Sequence, residues 1–168
     1  MMDQSLEQAL EFEKEISLFY LEQGQITTNI LVQRLFLTLA KQEIDHMMYI
    51  GDIAEDLAGG QQPSGMPEPD IEEEIKAFFT KVGTRELSKE AGNIEALEMA
   101  IDMEQEGCVM YRECIARSAE PHQKEFFEKL TRQETAHLES LRNLHYYLTK
   151  TGDWMQAEES KVWNWMNI

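Results

Sequence analysis

An offset of 91 residues aligns this chain with itself twice and without a gap. ALEFEKEISLFYLE (residues 9–22) falls on AIDMEQEGCVMYRE (100–113), and LFLTLAKQEIDHMMYI (35–50) falls on FFEKLTRQETAHLESL (126–141). Identical pairs include Ala9/Ala100, Glu13/Glu104, Glu15/Glu106, Tyr20/Tyr111 and Glu22/Glu113 in the first block, and Phe36/Phe127, Leu39/Leu130, Gln42/Gln133, Glu43/Glu134 and His46/His137 in the second. Self-similarity at a fixed offset is the mark of a repeated structural unit, so whatever one half folds into, the other must fold into as well.

Each half reads as two helices. Leu6, Leu10, Phe12, Ile16, Phe19 and Tyr20 recur at helical spacings over residues 4 to about 25, behind Asp3 or Ser5 as a cap. The period continues from about 28 to 58 and closes on Gly59-Gly60, then resumes from about Ile94 to Ser118. After Glu120-Pro121 a last helix covers 121 to about 150, since proline is tolerated in a first helical turn. With only four prolines and little Val beside Leu, Glu, Met and Ala, the composition favours helix over strand. An all-α fold is expected.

Between the halves, GGQQPSGMPEP (59–69) has the Gly and Pro content of a loop. DIEEEIKAFFTKV follows as a short amphipathic helix whose Glu72, Glu73 and Glu74 form a solvated first turn, and GTRELSKEAGN returns to loop. Two helical hairpins, about 4–58 and 94–150, joined by a crossover over 59–93 and followed by a tail or short helix over 151–168, describe a four-helix bundle with one long connection. The length of 168 residues suits a single domain, 1–168. A crossover of this length implies that the third helix starts from the end where the second did.

Glu-x-x-His occurs in each half, as Glu43/His46 and Glu134/His137, and each lies thirty positions after a further Glu, Glu13 or Glu104. With 25 Glu and 4 His in the chain, roughly 0.6 such motifs arise by chance, so one copy would carry little weight. Two copies in register inside a repeat carry much more. Residues three apart lie about 60° apart around a helix, so Glu and His of one motif can face one point, with the lone Glu reaching it from the partner helix. Four carboxylates and two imidazoles in an apolar core would be intolerable unpaired, because a buried unpaired charge costs several kcal/mol. Two divalent cations would neutralise four carboxylates, and an oxygen-rich set with two imidazoles suits iron or manganese better than a thiolate-seeking metal, although zinc could also enter.

Other partners are disfavoured by charge. A formal charge of −17 repels nucleic acid and anionic membrane alike. The first residues, MMDQSLEQALEFEKEIS, are acidic where a signal peptide would be basic and apolar, and no run approaches a membrane span, so a cytoplasmic location is expected. Cys108 and Cys114 stand about 240° apart on one helix, unable to bridge, and read as core thiols; the chain has no CxxC pair.

These motifs resemble the diiron-binding domain of rubrerythrins, within the ferritin-like superfamily, over roughly residues 5 to 150. The resemblance implies that Glu13, Glu43, His46, Glu104, Glu134 and His137 ligate two iron ions, with Glu43 and Glu134 in the bridging positions, inside a ferritin-like four-helix bundle. It further implies an oxidoreductase that reduces hydrogen peroxide or dioxygen, and a homodimer. The chain shows no cysteine-rich rubredoxin domain, so a separate electron-donor protein such as a rubredoxin is expected. Rubrerythrins also resemble one another in a further Glu three residues after the third-helix ligand, which an iron exchanges for His on redox change; here that position is Gly107. An iron-handling protein, in which ferroxidation feeds storage or transfer, is the alternative reading, and a metal-stabilised interaction module without turnover is a second.

Tyr20 and Tyr111 follow Glu13 and Glu104 by seven residues, on the same helix face, and are candidates both for hydrogen bonds to ligand carboxylates and for plain core aromatics. Glu106 and its repeat mate Glu15 lie about 200° from the neighbouring ligand Glu and should face outward. His122 and His145 have no repeat counterpart and read as surface or helix-end residues, Met47 and Met48 as core fillers, and Trp154, Trp163 and Trp165 as residues of tail packing or a dimer contact rather than of ligand stacking.

Overall fold

A computed structural model describes residues 3–60 and 94–149. Four helices make up these residues: α1 (Gln4–Ile26), α2 (Ile30–Gly59), α3 (Ile94–Arg117) and α4 (Pro121–Thr149). No strand occurs among the described residues. Shifted by 91, the bounds of α1 and α2 fall within one residue of those of α3 and α4, so the repeat in the sequence is a repeat in structure. The crossover from residue 61 to 93, with its Glu72–Glu74 turn, and the tail with Trp154, Trp163 and Trp165 lie outside the described residues.

Local chemistry sets the helix ends. Asp3 caps α1, its carboxylate accepting from the Ser5 amide at 2.9 Å. Asn29 caps α2, its side-chain oxygen accepting from Leu31 N and Val32 N. Gly60, at φ 67°, closes α2 in the left-handed region, with its amide turned back to Asp56 O and Leu57 O. Only residues 27–29 separate α1 from α2, and only 118–120 separate α3 from α4, so each pair packs as an antiparallel hairpin.

Contacts between hairpins fix the remaining directions. Tyr20 on α1 meets Glu104 on α3, while Tyr111 meets Glu13, so α1 and α3 run antiparallel. His46 on α2 meets Gln133 on α4, while Gln42 meets His137, so α2 and α4 do the same. It follows that α2 and α3 are parallel. A helix of 30 residues is about 45 Å long, and the chain must travel back over that distance between Gly60 and Ile94. That is the physical reason for a crossover of 33 residues.

The apolar core is divided into two clusters. One joins Ile16 and Tyr20 of α1 to Val32, Phe36 and Leu39 of α2, Leu97 and Ala100 of α3, and Leu141 and Leu144 of α4. The other joins Leu6 and Ala9 to Ile50 and Ile53, Tyr111 and Cys114, and Phe126, Phe127 and Leu130. On every helix the residues between these clusters are polar and buried: Glu13, then Gln42, Glu43 and His46, then Glu104, then Gln133, Glu134 and His137. A continuous polar layer thus crosses the middle of the bundle.

Met48 corrects one sequence expectation. It stands 63% exposed on the outer side of α2, while Met47 is half-buried. Two residues beyond His46 is about 200° around the helix, so turning His46 inward turns Met48 outward. Both cysteines are free and buried, as expected. No helix among the described residues is long and apolar enough to cross a membrane.

Candidate metal centre

Glu13, Glu43, His46, Glu104, Glu134 and His137 meet in the polar layer, and none is more than 1% exposed. Each helix contributes through the residues that its apolar face obliges to point inward. The Nδ1 atom of His46 lies 2.9 Å from Glu43, 3.0 Å from Glu134 and 3.5 Å from Glu13. The Nδ1 atom of His137 lies 2.9 Å from Glu43, 3.5 Å from Glu134 and 3.6 Å from Glu104. The two imidazoles are stacked, with centroids 5.5 Å apart and planes inclined by 15°.

Two sets of four ligand atoms result. One comprises Glu13, Glu43, His46 and Glu134, the other Glu43, Glu104, Glu134 and His137; within each set the atoms lie within 4.8 Å of one another. Glu43 and Glu134 belong to both sets, one from each hairpin, and each is central to the layer.

The inward-facing atoms lack hydrogen-bond partners. These are Oε2 of Glu13 and Glu104, both carboxylate oxygens of Glu43 and Glu134, and Nδ1 of both histidines. Several approach one another to about 3 Å, yet not in hydrogen-bonding geometry. Buried polar atoms in native proteins are almost always satisfied, so a concentration of orphans at one point is the signature of a group that binds there. Oxygen and imidazole donors in these proportions fit divalent cations well.

A second ring of residues orients the first. The Tyr20 hydroxyl donates to Glu104, and the Tyr111 hydroxyl donates to Glu13, each bond crossing from one hairpin to the other. Of the two readings that the spacing left open for these tyrosines, the carboxylate bond is the one observed. Nε2 of His46 is 2.6 Å from Oε1 of Gln133, and Nε2 of His137 is 2.7 Å from Oε1 of Gln42. An amide oxygen can only accept, so it holds the proton on Nε2 and leaves Nδ1 to face the cluster. Sequence reasoning registered Gln42 and Gln133 as repeat identities and gave them no role. Their position just before each Glu-x-x-His was the available signal.

Charge in the metal-free layer balances internally. Burial, then Glu134, raises the Glu13 carboxyl well above its ordinary range, and burial with Glu134 and Glu43 does the same for Glu104. Burial acts in the same sense on Glu43 and Glu134, but the histidines outweigh it and hold both carboxyls below the usual value. Burial opposes charge on His46 and His137, yet the surrounding carboxylates hold both imidazoles well above their ordinary value. The shifts thus oppose one another across the layer: they favour the charged form of both imidazoles and of Glu43 and Glu134, and the neutral form of Glu13 and Glu104. Burial and the adjoining carboxylates also keep Tyr20 and Tyr111 protonated, as donors.

The remaining candidates lie outside the layer. Glu15 and Glu106 are exposed, as their angular positions require. His122 is half-buried near the start of α4, and Nε2 of His145 is 3.2 Å from Glu98. Gly107 is buried beside the layer, and a Cβ there would stand 2.7 Å from Cε1 of Phe12 and 3.0 Å from its Cζ. The Phe12 ring, edge-on to Tyr111 at 6.1 Å, therefore fills the space that a side chain at position 107 would need.

A bundle of two repeated hairpins whose buried middle layer is built from carboxylates and imidazoles is of the ferritin-like type, with a donor set compatible with a pair of metal ions. The family model for rubrerythrin matches residues 4–145 and, in a second alignment, 95–164. The chain belongs to the rubrerythrin family. No curated protein and no solved structure gives a significant match to it.

Proposed function

We propose that the layer holds two iron ions and that the protein reduces hydrogen peroxide, or dioxygen, with electrons drawn from a separate donor protein. The observation that carries this reading is the sharing of Glu43 and Glu134 between two four-atom ligand sets, an arrangement suited to two metals side by side. Glu13 and His46 would complete one ion's ligands, Glu104 and His137 the other's. When bound in its reduced state, the iron pair would supply the two electrons that cleave the O–O bond of peroxide.

The protein's own residues would position and insulate. Tyr20 and Tyr111 would hold the terminal carboxylates Glu104 and Glu13 in place by hydrogen bonds. Gln42 and Gln133 would hold the imidazoles. Apolar clusters on both sides of the layer would exclude water and strengthen every electrostatic interaction within it. These 168 residues contain no CxxC pair that could hold a further iron, so electrons would reach the layer from outside the bundle.

Anaerobic loading with ferrous iron, followed by stopped-flow mixing with peroxide or dioxygen, tests the proposal. Uptake should stop near two irons per chain, peroxide should oxidise the centre faster than dioxygen, and return to the reduced state should be slow until a donor protein is added. Uptake of many irons per chain, or faster oxidation by dioxygen, would favour iron handling instead. Preferential retention of zinc with no oxidation burst would count against both.

A further inference from the structure

The polar layer is not equally covered on all sides. Along the bundle axis the two apolar clusters close it. Between α2 and α4 it is crossed by the His46–Gln133 and His137–Gln42 contacts, and between α3 and α4 buried Cys108 meets Thr135. Ser17 and Ala40, each within about one turn of a ligand Glu on α1 and α2, are buried as well. Between α1 and α3 the cover consists of side chains that solvent also touches. Phe12 and Met103, repeat mates that immediately precede Glu13 and Glu104, are both half-buried. Phe12 packs against both apolar clusters and so spans the layer from one to the other, whereas Met103 packs against one.

What lies beneath these two covers differs. The far edge of the Phe12 ring rests on Gly107, with Cε1 2.7 Å and Cδ1 3.7 Å from the place of the absent Cβ. Gly107 follows Glu104 by three residues and precedes Tyr111 by four, on the α3 face that carries both, so the niche opens onto the layer where Tyr111 bonds Glu13. The equivalent of Gly107 on α1 is Ile16, whose side chain is fully buried. A turn of the Met103 side chain would therefore uncover an isoleucine, whereas a turn of the Phe12 ring would uncover space beside a ligand carboxylate. The repeat serves as an internal control, because the two halves share their ligand residues and differ in this pair. Tilting a ring that has one side in solvent costs few contacts, while displacing it completely strips it from both clusters.

We propose that Phe12 is the door of the metal layer and the residue that selects, by size, what reaches it. A tilt of the ring over Gly107 admits an oxidant as small as hydrogen peroxide or dioxygen, while an organic hydroperoxide must displace the ring from both clusters and is turned away. The glycine makes the door possible, since a side chain at position 107 would fill the space into which the edge of the ring closes. This assignment rests on the reading that the layer holds metal and meets an oxidant there.

Cobalt(II), loaded into the full-length protein, reports entry without redox chemistry. Stopped-flow absorbance should show azide reaching the cobalt faster than imidazole, and Phe12→Ala should raise the imidazole rate by at least about tenfold while changing the azide rate little. Phe12→Leu, which lacks the far edge of the ring, should act in the same direction and covers the case in which the alanine variant loses its fold. Met103→Ala, above Ile16, should leave both rates as they are. In the iron-loaded protein the Phe12 variants should bring oxidation by tert-butyl hydroperoxide up toward that by hydrogen peroxide. Imidazole entry that neither Phe12 variant accelerates, or that Met103→Ala accelerates equally, overturns the proposal. So does a tert-butyl hydroperoxide rate that the Phe12 variants leave unchanged while hydrogen peroxide still oxidises the iron. A layer that takes up no metal overturns it together with the proposed function. Size selection at cobalt, with no oxidation of iron by any peroxide, supports the door and refutes the peroxide reading alone.

Discussion

The Tyr111 hydroxyl donates a hydrogen bond to Glu13, 98 residues earlier in the chain and on the other hairpin. Its repeat mate Tyr20 makes the reciprocal bond to Glu104. A carboxylate at the centre is thus oriented by the half of the protein that does not contain it.

Tyr111→Phe should accordingly weaken the metal site on the Glu13 side. Losing an oriented outer partner typically costs 10- to 100-fold in affinity, so about that loss is expected for one of the two metals, with the other affected much less. Competition against a chelator, titrated stepwise, reads both affinities. Tyr20→Phe should show the mirror-image pattern, and equal weakening of both metals by either variant would contradict the assignment.

Glu134→Ala should remove most of both metals, because Glu134 belongs to both ligand sets and its loss leaves each ion short of a ligand. Glu106→Ala, on the exposed side of α3, should leave the stoichiometry near two. Metal analysis of the purified variants decides the point, and similar losses in the two would refute the face assignment.

Gln133→Leu removes the acceptor of the His46 Nε2 proton, freeing that ring to turn and to change tautomer. Metal affinity on the His46 side should fall by about 10- to 100-fold, and NMR of the imidazole should show a mixture of tautomers in place of one. A single retained tautomer with full affinity would show that packing alone fixes the ring.

Stability of the metal-free protein should fall as pH rises. His46 and His137 have folded pKa values raised above the ordinary 6.5, so their contribution is complete below that value and is lost as pH climbs through the folded one. Glu13 and Glu104, also raised, act in the same direction from pH 4.5 upward. Glu43 and Glu134, held low, contribute above 4.5 and lose that contribution as pH falls through their folded values. Metal ligation requires deprotonated imidazole nitrogens and carboxylates, so loading should release protons and reduce the decline at high pH. Thermal melts from mildly acid to alkaline pH, with and without metal, would check the slopes; calorimetry in buffers of different ionisation enthalpy would count the protons.

Gly107→Ala should destabilise the protein by about 1–3 kcal/mol, because the new methyl group collides with the Phe12 ring. Phe12→Leu in the same chain should recover much of the loss. Denaturant unfolding of the single and double variants measures the coupling, and independent effects would place the ring elsewhere.

Much of this centre could be read from the sequence because the repeat and the helical period act together. The 91-residue offset picked out Glu13, Glu43, His46 and their mates, and helical angles turned Glu15 and Glu106 outward. What periodicity lacks is any record of which helix lies opposite. Gln42 reaches His137, and Tyr20 reaches Glu104, only because the hairpins pack antiparallel across the layer, and no local pattern states that distance. Met48 was misplaced for a related reason. Its apolar character suggested the core, whereas its angle from His46 dictates the surface. The Phe12 ring over Gly107 depends on the separation of α1 and α3, which composition does not encode.

The split of ligands between hairpins has a consequence for how such a centre can be assembled. Neither hairpin holds a complete ligand set, so two separate hairpins would have to meet by diffusion, and metal occupancy would rise and fall with protein concentration. Joining them in one chain makes that encounter intramolecular and so independent of protein concentration. Occupancy then no longer depends on how much protein a cell makes. The same linkage releases the halves from being identical, as Ile44 on α2 and Thr135 at the equivalent place on α4 illustrate.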